Sequence, residues 1–202
     1  MAKIIAFSGQ RDSGKNQSAD FFLSAFPDWT GRAFADPVKD IFCKAFGVTR
    51  EFVEKWKRVP IPPPGFEKTV RQSLVFIGDG FRKIRPKCWI ERGLDGEQIA
   101  LTDGRYWNEA IAVRERGGLN ILVWRPGFEN EDDNEGEQQT LRVIRQWVDN
   151  GATGPLNHSF DVSEECKYYD YLIRNDGDVE SLEYQIRNGL VPFVMERLSQ
   201  GI

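Results

Sequence analysis

The chain has 202 residues, 40% hydrophobic, 29% charged and 12% aromatic, enough for one domain with a substantial core. No apolar run approaches the roughly 18 residues that a membrane-spanning helix needs, and 27 basic against 31 acidic residues leave a net charge of −4, without the basic excess of a duplex-DNA binder. Three scattered cysteines (Cys43, Cys88, Cys166) and one histidine (His158) argue against a disulfide framework, a zinc cluster and a Ser-His-Asp hydrolase, and fit a reducing, cytoplasmic setting.

Residues 3–8 read as a short buried strand; the apolar start is too short for a secretory h-region. A glycine turn over 9–15 follows. Ala19, Phe21, Phe22 and Phe26 then recur at helical spacing from Asn16 to Pro27. Residues 31–35 are a second strand candidate. Asp36 and Pro37 resemble an N-cap with proline in the first turn, opening a helix with Val38, Ile41, Phe42, Ala45 and Phe46 on one face.

A short helix is expected over 50–57 and an extended proline-rich loop over 59–65. Val70, Leu74 and Ile77 mark a helix that the sequence breaks at Gly78-Asp79-Gly80, with helix resuming over 89–94. Strands at 98–102 and 119–124 flank a helix over 108–116 that stops at Gly117-Gly118. Between 126 and 137 stand six acids and no base. Removing their six negative charges turns −4 into +2, so a slightly basic body carries one acidic loop. A helix over 140–148, a strand over 169–173 and a C-terminal helix from 180 complete the pass. Alternating strands and helices predict a three-layer α/β fold with a mainly parallel sheet of about five strands.

The chemistry concentrates in Gly9, Gln10, Arg11, Asp12, Ser13, Gly14 and Lys15, which match G-x-x-x-x-G-K at a strand-to-helix junction. Backbone N–H groups and a helix N-terminus converge there on an anion, and Lys15 can reach the β- and γ-phosphates. Asn16, followed by Gln17, stands where a Mg²⁺-binding Ser or Thr is usual. Asp103 closes a buried strand, where a carboxylate can hold Mg²⁺ or cap the next helix, or do both. Arginines 71, 82, 105, 125, 142 and 145 could stabilise phosphoryl charge, though each alone also fits a solvated surface residue.

Several segments together resemble the tailed-phage deoxynucleoside monophosphate kinases, a P-loop nucleotide-kinase family. The P-loop is similar to that family's G-x-x-x-S-G-K-D-T, and residues 32–39 (Arg-Ala-Phe-Ala-Asp-Pro-Val-Lys) to its F-A-D-P-L-K. Arg71 through Gly78 and Arg82 to Trp89 resembles its R-x-x-L-Q-x-x-G-x-x-x-R…W. Residues 103–110 resemble D-x-R-F-x-N-E-A, and 123–127 resemble R-x-x-R-P-G. Residues 162–164 and 170–177 echo H-x-S-E and D-x-x-I-x-N-x-G. The match runs in order through nearly the whole chain.

The resemblance implies one P-loop kinase domain over 1–202, with a helical acceptor-binding flank at 50–95 and a lid-like insertion at 126–156. It implies ATP and Mg²⁺ as cofactors, with residues 9–17 holding the nucleotide phosphates. Asp36, Lys39, Arg71 and Arg82 would bind the acceptor, with Trp89 as a packing wall. Asp103, as a metal ligand, and Arg105 would lie between the sites. Lys15, Arg125, Arg142 and Arg145 would act on the transferred phosphate. The implied reaction converts a deoxynucleoside monophosphate to its diphosphate for phage-type DNA precursor synthesis, in the host cytoplasm, by a protein compatible with a homodimer and needing no membrane. Two other readings remain open: phosphorylation of a hydroxymethylated base such as 5-hydroxymethyluracil in phage DNA, with Trp56, Trp107 and Trp147 as base-stacking candidates or core residues, and a nucleotide binder that no longer catalyses.

Overall fold

Hydrophobic alternation along the strands dictates two covered sheet faces, and the computed structural model, which describes residues 3–128 and 135–201, has them. In chain order come β1 (Lys3–Ser8), α1 (Lys15–Ala25), β2 (Thr30–Arg32), α2 (Asp36–Phe46), α3 (Arg50–Trp56), α4 (Val70–Ile84) and α5 (Cys88–Gly93). They are followed by β3 (Gln98–Gly104), α6 (Trp107–Glu115), β4 (Leu119–Trp124), α7 (Glu135–Asp149), β5 (Gly154–Pro155), a 3₁₀ turn (Glu164–Tyr168) and β6 (Tyr171–Arg174). The last stretch is α8 (Val179–Gln185), one π-helical turn (Ile186–Leu190) and α9 (Val191–Ser199). The chain divides into two compact units, Met1–Ala33 with Gly96–Ile202, and Phe34–Asp95.

The first unit is a three-layer α/β structure around a sheet of order β2-β3-β1-β4-β6-β5, parallel throughout except for the β5–β6 pair. Period-2 alternation sorts its residues. Ile5 and Phe7 of β1, Ile121 and Val123 of β4 and Ile173 of β6 pack with Phe22 of α1, Leu182 of α8, Ile186 and Leu190 of the π turn and Val194 of α9. On the opposite face Leu122 and Leu172 pack with Ala110 of α6 and with Val143, Ile144 and Trp147 of α7. The expected sheet is thus present with one strand more. β5 is a two-residue antiparallel edge strand, too short to leave a periodic signal. β2 lies over 30–32 instead of 31–35.

The second unit is helical. Phe42 of α2, Val53 of α3 and Val70 of α4 are its buried centre, with Phe52, Trp56, Phe66, Leu74 and Ile77 packed around them. The helical flank expected over 50–95 belongs to this unit, which begins earlier, at Phe34. Asp36 is the first helical residue, not the cap, and Pro37 sits in the first turn. The break expected at Gly78-Asp79-Gly80 does not occur. α4 starts with a reciprocal Thr69–Gln72 capping box and runs to Ile84. Two interior glycines cost about 1 kcal/mol each, which the packed face of Val70, Leu74 and Ile77 outweighs.

A second correction concerns 126–156. The helix there starts at Glu135, not 140, and it is a core element: Leu141, Ile144 and Trp147 are buried. Glu135 and Glu137 in its first turn suit the positive end of the helix dipole, whereas the sequence reading counted them with a solvated acidic run. Residues 129–134 of that run lie outside the described residues.

Candidate phosphate-binding site

β1 ends at Ser8, and α1 begins at Lys15, so the glycine loop spans the carboxyl end of a central strand and a helix N-terminus. Two glycines are there for steric reasons. A Cβ on Gly9 would lie 2.4 Å from the Val123 carbonyl oxygen and 2.6 Å from Ser13 Oγ. Gly14 has φ 94°, and a Cβ there would lie 2.4 Å from Asn175 Nδ2, the atom that donates to the Ser13 carbonyl at 2.9 Å. Asp12 takes a left-handed φ of 59°, which aspartate tolerates better than bulkier residues. No side chain caps α1, and no acid stands in its first turn. Its first N–H groups are therefore available to an anion.

Lys15 is 7% exposed, and its Nζ donates to the Gln10 carbonyl at 2.8 Å. Burial, and then the Arg105 guanidinium, hold the ammonium down at about 8, against upward pulls from Glu137, Asp103 and Asp12. These residues come from three elements. Asp103 and Arg105 stand at and just after the end of β3, which pairs in parallel with β1 (Ser8 opposite Gly104). Glu137 stands on the first turn of α7. Fully buried, its carboxylate accepts from the Arg11 backbone N–H at 3.1 Å and from Arg105 Nη1 at 2.9 Å. Ser13 Oγ is buried without a hydrogen-bond partner among the described residues, a polar atom facing the loop.

Of the residues expected at the phosphates, the structure brings Lys15, Asp103 and Arg105 together. Asn16 and Gln17 are exposed on the first turn of α1, and the Ser18 hydroxyl turns back to the Gly14 carbonyl. The cap of the helix after β3 is Tyr106 with Glu109, so Asp103 does not serve as that cap. Arg125 follows β4, its guanidinium 3.9 Å from the centre of the Phe128 ring. Arg142 and Arg145 are not brought to Lys15. They lie on the exposed face of α7, about 7 and about 12 Å further along the helix axis than Glu137, and Arg142 acts on Glu165.

The acceptor residues implied by the resemblance lie in the second unit. Asp36 pairs with Arg50, and Lys39 with Glu54 at 3.0 Å. Arg71 and Arg82, eleven residues apart on α4, share a helical face with Gly78. Arg82 meets Asp79 at 2.9 Å. Trp89 is buried and donates its indole N–H to the Gly78 carbonyl at 3.0 Å. Trp147 is fully buried and Trp56 packs into the second unit's core; Trp107 is exposed. Sequence reasoning missed Glu137 and Asn175. For Glu137 a signal existed: with Leu141 and Ile144 it keeps helical spacing on the buried face of α7.

Among the described residues no group of three or more His, Cys, Asp or Glu could hold a metal ion by itself. Mg²⁺ on a nucleotide needs only one or two carboxylates, the rest of its shell being phosphates and water, and Asp103, at the end of β3 and acting on Lys15, supplies one. No described helix is long and apolar enough to cross a membrane.

No protein-family model matches the chain. A protein of Acanthamoeba polyphaga mimivirus, named provisionally as a deoxynucleotide monophosphate kinase, is 25% identical over 166 residues, which is 71% of this chain and 84% of that one. Similar solved structures include shikimate kinase from Acinetobacter baumannii, 14% identical over 93% of this chain and 92% of that one, with a TM-score of 0.46. Dephospho-CoA kinase from Campylobacter jejuni is 14% identical over 98% of both chains, with a TM-score of 0.40. The fold is a three-layer α/β arrangement, with the glycine loop between β1 and α1.

Proposed function

We propose that the chain is a kinase that passes the terminal phosphoryl group of ATP to a deoxynucleoside monophosphate, giving the diphosphate. The observation that carries this reading is the buried P-loop lysine flanked by Asp103 and Arg105 from the neighbouring strand end. The ordered motifs along the chain and the provisional name of the mimivirus relative support the choice of acceptor. In this reading residues 9–17 hold the ATP phosphates, through loop amides other than those of Arg11 and Ser13 and through Lys15, and Arg105 stabilises charge on the group in flight, with Arg125 as a second donor. Asp103 would hold Mg²⁺, which when bound neutralises phosphate charge. Asp36, Lys39, Arg71 and Arg82 bind the acceptor, and Trp89 shapes their helix. The acceptor phosphate is already an anionic nucleophile, so positioning suffices and no general base is required.

The test is a product screen with labelled ATP and each of the four deoxynucleoside monophosphates, with DNA carrying a hydroxymethylated base as a further arm. A labelled diphosphate is the expected product. Label on the DNA alone moves the acceptor to a base in a polymer. Tight ATP binding with no product in any arm makes the chain a non-catalytic nucleotide binder.

A further inference from the structure

We infer that Glu137 is a positioning residue, a buried carboxylate that ties the P-loop amide of Arg11 to the guanidinium of Arg105 and so sets Arg105 beside Lys15 before nucleotide binds. Its effect on turnover rests on the phosphoryl-transfer reading above; its hold on the Arg105 side chain does not.

Arg105 is fixed at both ends. Its backbone N–H donates to Glu109 Oε2 at 2.9 Å, and its carbonyl accepts from Thr140 Oγ1 at 2.6 Å. Its head donates to Glu137 at 2.9 Å. α7 comes this close because residue 136 is glycine: a Cβ there would lie 3.0 Å from the Tyr106 ring and 3.1 Å from Arg105 Cβ. A carboxylate removed from water is costly unless paired and hydrogen-bonded, and this one is held by a guanidinium and a P-loop amide. The Glu137 side chain is 0% exposed, while the Arg105 side chain stays 31% exposed. One edge of the Arg105 fork is used to fix it, which leaves further N–H groups for a ligand.

The test uses Glu137→Gln, which keeps the shape and an acceptor oxygen for the Arg11 N–H, alongside Arg105→Ala and the double variant. Glu137→Gln should lower kcat by roughly 10- to 100-fold while the KM for ATP changes by less than about threefold. In the Arg105→Ala background the same substitution should cost less than about threefold more. The Arg105 side-chain N–H signals in NMR spectra, assigned by their loss in Arg105→Ala, should exchange with water at least about tenfold faster in Glu137→Gln than in the wild type. Unchanged exchange overturns the inference, and so does an equal kcat loss with and without Arg105. If the wild type transfers phosphate to no deoxynucleoside monophosphate, the proposed function fails, and the exchange measurement, which needs no substrate, still decides the role of Glu137.

Discussion

Lys15 shows how one side chain joins stability to function. Its ammonium is nearly buried, so the fold holds its pKa at about 8, below the ordinary 10.5. Between these values the unfolded chain binds more protons than the folded one, so stability rises with pH from 8 to 10.5, and below 8 the full desolvation cost applies. Lys15→Met should therefore stabilise the ligand-free protein at pH 7 by on the order of 1–3 kcal/mol, read as a higher melting temperature, while phosphoryl transfer falls by orders of magnitude. Near-native turnover in that variant would remove the P-loop from the chemistry. The ligand-free site should also lose phosphate affinity as pH rises through 8. Arg71 and Arg82 are tested differently. A lysine cannot copy the two-pronged grip of a guanidinium on a phosphate, so Arg71→Lys or Arg82→Lys should raise the KM for the acceptor about tenfold or more with little effect on that for ATP. Equal effects on both substrates would take these residues out of acceptor binding.

At the scale of an element, α4 and α7 are the two helices whose behaviour local sequence misstated. Glycine interrupts neither strongly enough to end it. Gly80 is exposed within α4, and a Cβ there would meet nothing within 4 Å. Gly80→Ala should stabilise the protein by about 0.5–1 kcal/mol, measured by denaturant unfolding. Destabilisation would show that the glycine is needed for something the packing does not display. α7, expected within a lid, is anchored by the fully buried Trp147, whose ring lies 6.1 Å from Phe160 and 5.9 Å from His158. Trp147→Ala should cost about 3–5 kcal/mol. A helix that merely swung over the nucleotide would tolerate the change, so a loss below about 1 kcal/mol would return α7 to a lid.

For the whole molecule, burial differs between the two compact units. β1 and β4, central in the sheet of the first unit, are buried on both faces. The helical unit, Phe34–Asp95, rests on a small aromatic cluster around Phe42, Val53 and Val70. Free energies of local opening follow such differences in buried apolar contact. In hydrogen–deuterium exchange the amides of β1 and β4 should be the last to exchange, with α2 to α5 exchanging earlier. Uniform exchange in the two units would mean that the whole chain opens as one cooperative body.

The sequence by itself determined strands β1, β3, β4 and β6, the glycine loop and Lys15, because period-2 burial, strand-ending glycines and the G-x-x-x-x-G-K spacing are local signals. Gly9 and Gly14 were legible from that spacing, but the partners that exclude a side chain there, the Val123 carbonyl and Asn175, are distant in the chain. The sequence also showed an ordered family resemblance, from which the acceptor residues follow only as expectations. Tertiary structure alone decided what depends on a long-range partner. It kept α4 intact through two glycines by packing one face of the helix. It buried Glu137, which the acidic run had disguised as solvated, because α7 lays its first turn on Arg105 and the P-loop. It also turned Arg142 and Arg145 outward, since the opposite side of their helix had to cover the sheet. Local spacing can say that two residues share a helix face; only the packing of that face against the rest of the chain says whether it points at a phosphate or at water.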